Sequence, residues 1–142
     1  MGIAEWSMMR PRIDHVGIAT QSIEKASAFW ELLGLVPKED HVNNDQGVRI
    51  RMFEGEGDSP NVELLEPLGP ETPVGKFIEK RGSGIQQIAF TVDNLQAKIS
   101  EFTASGFRMI NHEPVEGAGG TLIAFVHPSS TGGVLVELVQ RN

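Results

Sequence analysis

Residues 134–139 read Val-Leu-Val-Glu-Leu-Val, and a shorter form of the pattern, Val-Glu-Leu-Leu, stands at 62–65. Unbroken runs of β-branched residues and leucine read as buried strands. A carboxylate inside such a run is costly to bury unless it is paired or bound to a metal. Two strands that each carry one central glutamate, Glu63 and Glu137, therefore point to a duplicated unit whose two carboxylates converge on one site.

The rest of the chain repeats with them. His15 and Gln87, Ile23 and Leu95, and Gly34 and Gly106 are each 72 positions apart, and Glu63 and Glu137 are 74 apart, so the copies differ by a small insertion or deletion. In the first copy, residues 13–19 read as a strand and Ser22 as an N-cap. Ile23, Ala26, Trp30 and Leu33 recur at helical spacing over 23–33, and Gly34 stops the helix. A strand starts over 35–38, residues 43–47 form a turn or loop, and 48–53 alternates with Arg49 and Arg51 on its polar face. The Glu63 strand covers 61–65. A Pro- and Gly-rich connector, 67–83, holds a helix over 74–80 opened by Thr72-Pro73.

In the second copy, 87–91 is a strand. Asp93-Asn94 caps a helix with Leu95, Ile99 and Phe102 on its apolar face, and Gly106 ends it. Strands follow at 107–110, 121–126 and 134–139, with a loop at 111–120 and a turn at 127–133. The expected fold is α+β. It consists of two tandem βαβββ units, about 12–66 and 84–140, whose mixed sheet curls around a metal or substrate cavity. Together they make a single domain, 12–142, behind an N-terminal extension, 1–11. A sheet with a helix on one face leaves its other face bare. Two such units side by side can curl around a shared cavity, with His15, Glu63, Gln87 and Glu137 pointing inward.

Composition narrows the function. The net charge of -7 and the lack of a basic patch argue against a nucleic-acid partner. With no cysteine, disulfides, thiolate metal sites and a cysteine nucleophile are excluded. No apolar run reaches membrane-spanning length, and 1–10 has no signal-peptide core. A soluble cytoplasmic protein, with no membrane partner, is expected.

Several segments resemble the vicinal oxygen chelate (glyoxalase) superfamily and, within it, the methylmalonyl-CoA epimerases. They are Asp14-His15-Val16-Gly17-Ile18-Ala19, the stretch from Val62 to Gly69, Phe125-Val126-His127-Pro128, and the stretch from Gly132 to Leu138. The resemblance runs from about 13 to 140. It implies a divalent metal held by His15, Glu63, Gln87 and Glu137, an acyl-CoA substrate and a homodimer. It also implies epimerisation at the carbon alpha to the thioester, for which Glu63 and Glu137 are the candidate acid/base pair. The position of Gln87 is usually histidine in these epimerases. One nitrogen and three oxygen ligands lean away from zinc toward magnesium, manganese or cobalt. Some family members use a further glutamate on the strand after a Gln-Gly-Val loop; here 46–51 reads Gln-Gly-Val-Arg-Ile-Arg and has none.

Ordinary structural roles compete at each position. A lone His15 is more often a core histidine than a ligand, and the repeat is what favours the ligand. Glu63 and Glu137 taken singly could be edge carboxylates, and Gln87 could be a core glutamine. His127 suits a turn, His41 and His112 suit solvated loops, and Trp30 and Phe102 suit the core. Arg49, Arg51, Lys76, Lys80 and Arg81 are candidates for a cationic rim toward coenzyme A phosphates, and the 117–120 loop for backbone donors to a substrate carboxylate. A glyoxalase-type isomerase and a non-catalytic ligand-binding protein of the same fold are the alternative functions.

Overall fold

Helix and strand form where the two apolar periodicities place them. The structure, a computed structural model, describes residues 10–141. All but the last two residues of the expected N-terminal extension lie outside the described residues. In order, the elements are β1 (Arg12–Ala19), α1 (Ile23–Leu33), β2 (Val36–Pro37), β3 (His41–Asn43), β4 (Val48–Glu54), β5 (Asn61–Pro67), α2 (Pro73–Arg81), β6 (Gly84–Thr91), α3 (Leu95–Ala104), β7 (Val115–Glu116), β8 (Leu122–Val126) and β9 (Leu135–Gln140). The class is α+β, with parallel pairing of β1 to β5 and antiparallel pairing of β5 to β4. No helix among the described residues is long and apolar enough to cross a membrane.

The chain divides into two compact units, His15–Gln87 and, among the described residues, 10–14 with 88–141. In the first, the strand order is β2-β4-β5-β1, with β3 also on β4. Ser22 caps α1 by accepting from Lys25 N, and Gly34, at φ 110°, closes it with its N–H directed to Glu31 O and Trp30 O. Only glycine takes that left-handed conformation without strain. Helix α1 packs Ile23, Ala26 and Trp30 on Phe53, Leu64 and Val62, which covers one face of the sheet. On the other face, Ala19, Val48 and Leu65 pack with Val74 and Ile78 of α2.

The second unit repeats the plan, with order β6-β9-β8-β7. Leu95 and Ile99 of α3 pack on Ala124, Val126 and Leu138, while Ala89, Ile123 and Val139 cluster separately. The duplication extends to individual bonds. Thr20 N donates to Leu65 O at 2.9 Å, and Val92 N to Val139 O at 2.9 Å. The first amide of each helix donates to a side chain at the end of its unit's last strand: Ile23 N to Glu66 Oε1 at 2.8 Å, Leu95 N to Gln140 Oε1 at 2.7 Å. Asn94 caps α3 as Ser22 caps α1.

Three expectations need correcting. The expected loop over 111–120 holds the short strand β7, paired with Leu122 and Ile123 of β8. The strand expected over 107–110 is reduced to an isolated bridge, Met109 to Val126. Ile110 N still donates to Phe125 O of β8 and Arg108 O accepts from His127 N just past it, but Arg108 N turns to Ser130 Oγ, and Asn111 Oδ1 takes Phe125 N where a ladder would continue. Conversely, 41–43 is a strand, paired with β4 around the turn in which Asn43 Oδ1 accepts from Gln46 N. A polar, exposed three-residue strand offers no periodicity to read.

Candidate functional site

The four predicted residues share one property. His15 is 6% exposed, Glu63 8%, Gln87 9% and Glu137 7%. Side chains this polar are buried only when other groups satisfy them.

In the first unit, parallel register sets Gly17 opposite Glu63 and Ala19 opposite Leu65. Glu63, Leu65, Gly17, Ala19 and His15 therefore share the face away from α1. His15 Nδ1 lies 3.5 Å from Glu63 Oε2, on neighbouring strands. Gln87 is on the same face, because its Cγ lies beside Gly17. Antiparallel register adds Met52, directly opposite Glu63, and Ile50, opposite Leu65. Asn61, opposite His15, donates through Nδ2 to Met52 Sδ at 3.3 Å. Sequence reading missed Asn61, Met52 and Gly17. The period-2 alternation of β4 and β5 was the signal available for the first two.

In the second unit, Glu137 sits on the face away from α3. Its cross-strand partner is Phe125, and Val139 two residues on pairs with Ile123. Met52 and Phe125 thus occupy equivalent places. Each buried glutamate has an apolar neighbour across the strand, so neither is offset by a cation from that neighbour.

A divalent cation fits this chemistry. His15 supplies a nitrogen beside a buried carboxylate, and Gln87 a carboxamide oxygen on the same face. No group of three or more His, Cys, Asp or Glu side chains among the described residues forms a metal-binding cluster. The Gln87 side chain is the further oxygen donor that stands on the face of His15 and Glu63.

The arginines expected on a cationic rim are otherwise engaged. Arg51 Nε and Nη2 donate to Asp40 at 2.5 and 3.0 Å, Arg51 Nη1 to Ser27 Oγ at 2.9 Å and Arg51 Nη2 to Glu24 at 2.9 Å. Arg49 Nε donates to Asp40 Oδ2 at 2.8 Å. The bond from Arg51, with Arg49 adding to it, holds the Asp40 carboxyl below its ordinary range against the opposing effect of burial. The same pair raises the Arg51 guanidinium. Both arginines point to the α1 face, away from Glu63. Lys76, Lys80 and Arg81 are exposed on α2. A cavity of about 460 Å³ at the connector is lined by Leu68, Ile78 and Glu79 among others, and by none of His15, Glu63 or Gln87.

The remaining features take ordinary roles. His127 Nδ1 accepts from Ser129 N and caps a 3-10 turn at Pro128–Ser130. His41 and His112 are exposed. Trp30 and Phe102 pack in their units' helix-side clusters. In the 117–120 loop, Gly117 N already donates to Thr121 O.

Comparison with known proteins gives consistent results. Residues 14–125 match the Glyoxalase/Bleomycin resistance protein/Dioxygenase superfamily. The chain is 38% identical over 130 residues to the uncharacterized protein YqjC of Bacillus subtilis, spanning 91% of each chain. It is 37% identical over 131 residues to human mitochondrial methylmalonyl-CoA epimerase, spanning 91% of this chain and 73% of that one. A Streptomyces coelicolor methylmalonyl-CoA epimerase variant in complex with 2-nitronate-propionyl-CoA superposes with a TM-score of 0.84 at 35% identity. The match covers 91% of this chain and 93% of that one.

Proposed function

Because the chain belongs to the Glyoxalase/Bleomycin resistance protein/Dioxygenase superfamily and, within it, to the methylmalonyl-CoA epimerases, we propose that it interconverts the 2R and 2S forms of methylmalonyl-CoA. One observation carries the reading. Each unit buries one glutamate on the face away from α1 or α3, at the matching place in its strand, against an apolar cross-strand neighbour.

Epimerisation alpha to a thioester needs a base for the C2 proton on one face and an acid on the other. The proposal gives one role to Glu63 and the other to Glu137. Glu63 takes the proton of one isomer onto its carboxylate while protonated Glu137 returns one to the opposite face; the other isomer reverses the roles. Met52 and Phe125 are the cross-strand neighbours of the two carboxylates. His15 orients the Glu63 carboxylate through its ring nitrogen. His15, Glu63, Gln87 and Glu137 would hold a divalent ion, with magnesium, manganese or cobalt favoured by the oxygen-rich set. When bound, that ion supplies Lewis-acid stabilisation of negative charge on the thioester oxygen. A single domain over 12–142, a cytoplasmic location and a homodimer belong to the same proposal.

Solvent deuterium incorporation at C2 of each isomer tests it, on protein stripped of metal and resupplied with cobalt, manganese or magnesium. Metal-dependent exchange, falling by at least about 100-fold in both Glu63→Gln and Glu137→Gln, is expected. Folded protein without exchange under any metal overturns the epimerase. It would leave a ligand-binding protein of this fold, the alternative that a glutamine in place of the second histidine keeps open.

A further inference from the structure

Gly17 is a glycine that its backbone does not require. Ten glycines among the described residues have positive φ, and Gly17 is not one of them. It lies in the interior of β1, where glycine costs roughly 0.5–1 kcal/mol relative to alanine. Glycine in a strand interior often marks a close approach by another group. Here the approaching group is Gln87. A Cβ at residue 17 would lie 2.7 Å from Gln87 Cγ, 3.2 Å from Gln87 Cδ and 2.9 Å from Leu65 Cδ1. Carbon atoms in contact settle at about 3.5–4.0 Å. The Leu65 methyl is the end of a flexible side chain and can turn away. Gln87 Cγ is the first atom beyond its own Cβ, so moving it re-aims the whole carboxamide.

We propose that Gly17 is a positioning residue: its missing side chain is the slot in which Gln87 lies, and that slot fixes the direction of the Gln87 carboxamide on the face it shares with His15 and Glu63. The inference rests on the reading of Gln87 as a metal ligand, and it has one consequence that stands without the metal. In folded protein the Gln87 side chain holds one orientation, set by residue 17.

Manganese(II) titrations followed by electron paramagnetic resonance test the first part, on wild type, Gly17→Ala, Gln87→Ala and the double variant. Groups that orient a ligand typically change metal affinity by about 10- to 100-fold, and a loss of that size is expected for Gly17→Ala. In the Gln87→Ala background the same substitution has no further effect, because there is no Cγ to displace. An undiminished loss in that background, or Gly17→Ala binding manganese as tightly as wild type, overturns the proposal. The side-chain amide resonances of Gln87, assigned by their disappearance in Gln87→Ala, test the second part without metal. They should shift or broaden in Gly17→Ala, and unchanged resonances sink the slot. Wild type that binds no manganese counts against the metal reading alone, and the amide resonances still decide about Gly17. If Gly17→Ala unfolds, recovery of the fold in the double variant supports the slot, and an unfolded double variant refutes it.

Discussion

Replacing Asp40 by asparagine removes the hub that ties α1, β4 and the segment between β2 and β3 together. Asp40 accepts Arg51 Nε, Arg51 Nη2 and Arg49 Nε. Its side chain is 19% exposed and that of Arg51 17%. A hydrogen bond to a charged group nets about 1.5–3 kcal/mol when well buried. Exposure of Arg49, at 35%, and of Glu24, at 68%, discounts the outer part of the network. Asparagine retains one acceptor oxygen and loses the charge, while Arg51 keeps Ser27 and Glu24. The expected loss at neutral pH is about 2 kcal/mol, between a surface pair and a fully buried one.

The pH dependence has a definite sign. Arg51 and Arg49 depress the folded-state pKa of Asp40 below its ordinary 3.8. Its contribution is therefore complete above the ordinary value and fades as pH falls through the depressed one. Urea unfolding of wild type and Asp40→Asn across a pH series should show the full difference near neutrality and a shrinking one below about pH 3.8. A difference under about 0.5 kcal/mol at neutral pH, or one that does not change on acidification, would refute the reasoning.

Two further variants probe the core and the repeated caps. Leu64→Ala empties a fully buried position among Ile23 and Phe53, and should lower the stability read by denaturant unfolding by about 2–5 kcal/mol. Gln140→Ala removes the acceptor for Leu95 N, and thermal melts should record a loss of about 1 kcal/mol, the usual worth of a helix cap.

What the sequence made legible follows the range of each signal. Helix α1 was readable to its ends, because Ser22, the Ile23–Trp30 periodicity and Gly34 are all local. The duplication was readable because Glu63 and Glu137 stand in the same apolar run. The fates of Arg49 and Arg51 were not. Alternation in β4 put them on a polar face, but their partners, Asp40 and Glu24, lie in the link between β2 and β3 and on a helix, and only tertiary structure brings those together. Gly17 was equally silent, since its meaning depends on Gln87, seventy positions away in sequence. The short β3 and the frayed bridge at Met109 carry too few residues for a period to show.

Register in β4 bears directly on the chemistry. Arg51 pairs with Leu64 and so faces α1, whereas Met52 pairs with Glu63 and Ile50 with Leu65. The stretch after Gln46-Gly47-Val48 therefore presents Ile50 and Met52, not a carboxylate, on the face that carries Glu63. Glu54, two residues beyond Met52, is ion-paired with Lys38. A proton acceptor complementary to Glu63 cannot come from Ile50 or Met52. The proposed mechanism gives the second proton transfer to Glu137, the counterpart of Glu63 by place in its strand and by burial. Exchange that survives in Glu137→Gln while Glu63→Gln abolishes it would point to a one-base enzyme with solvent as the second proton source.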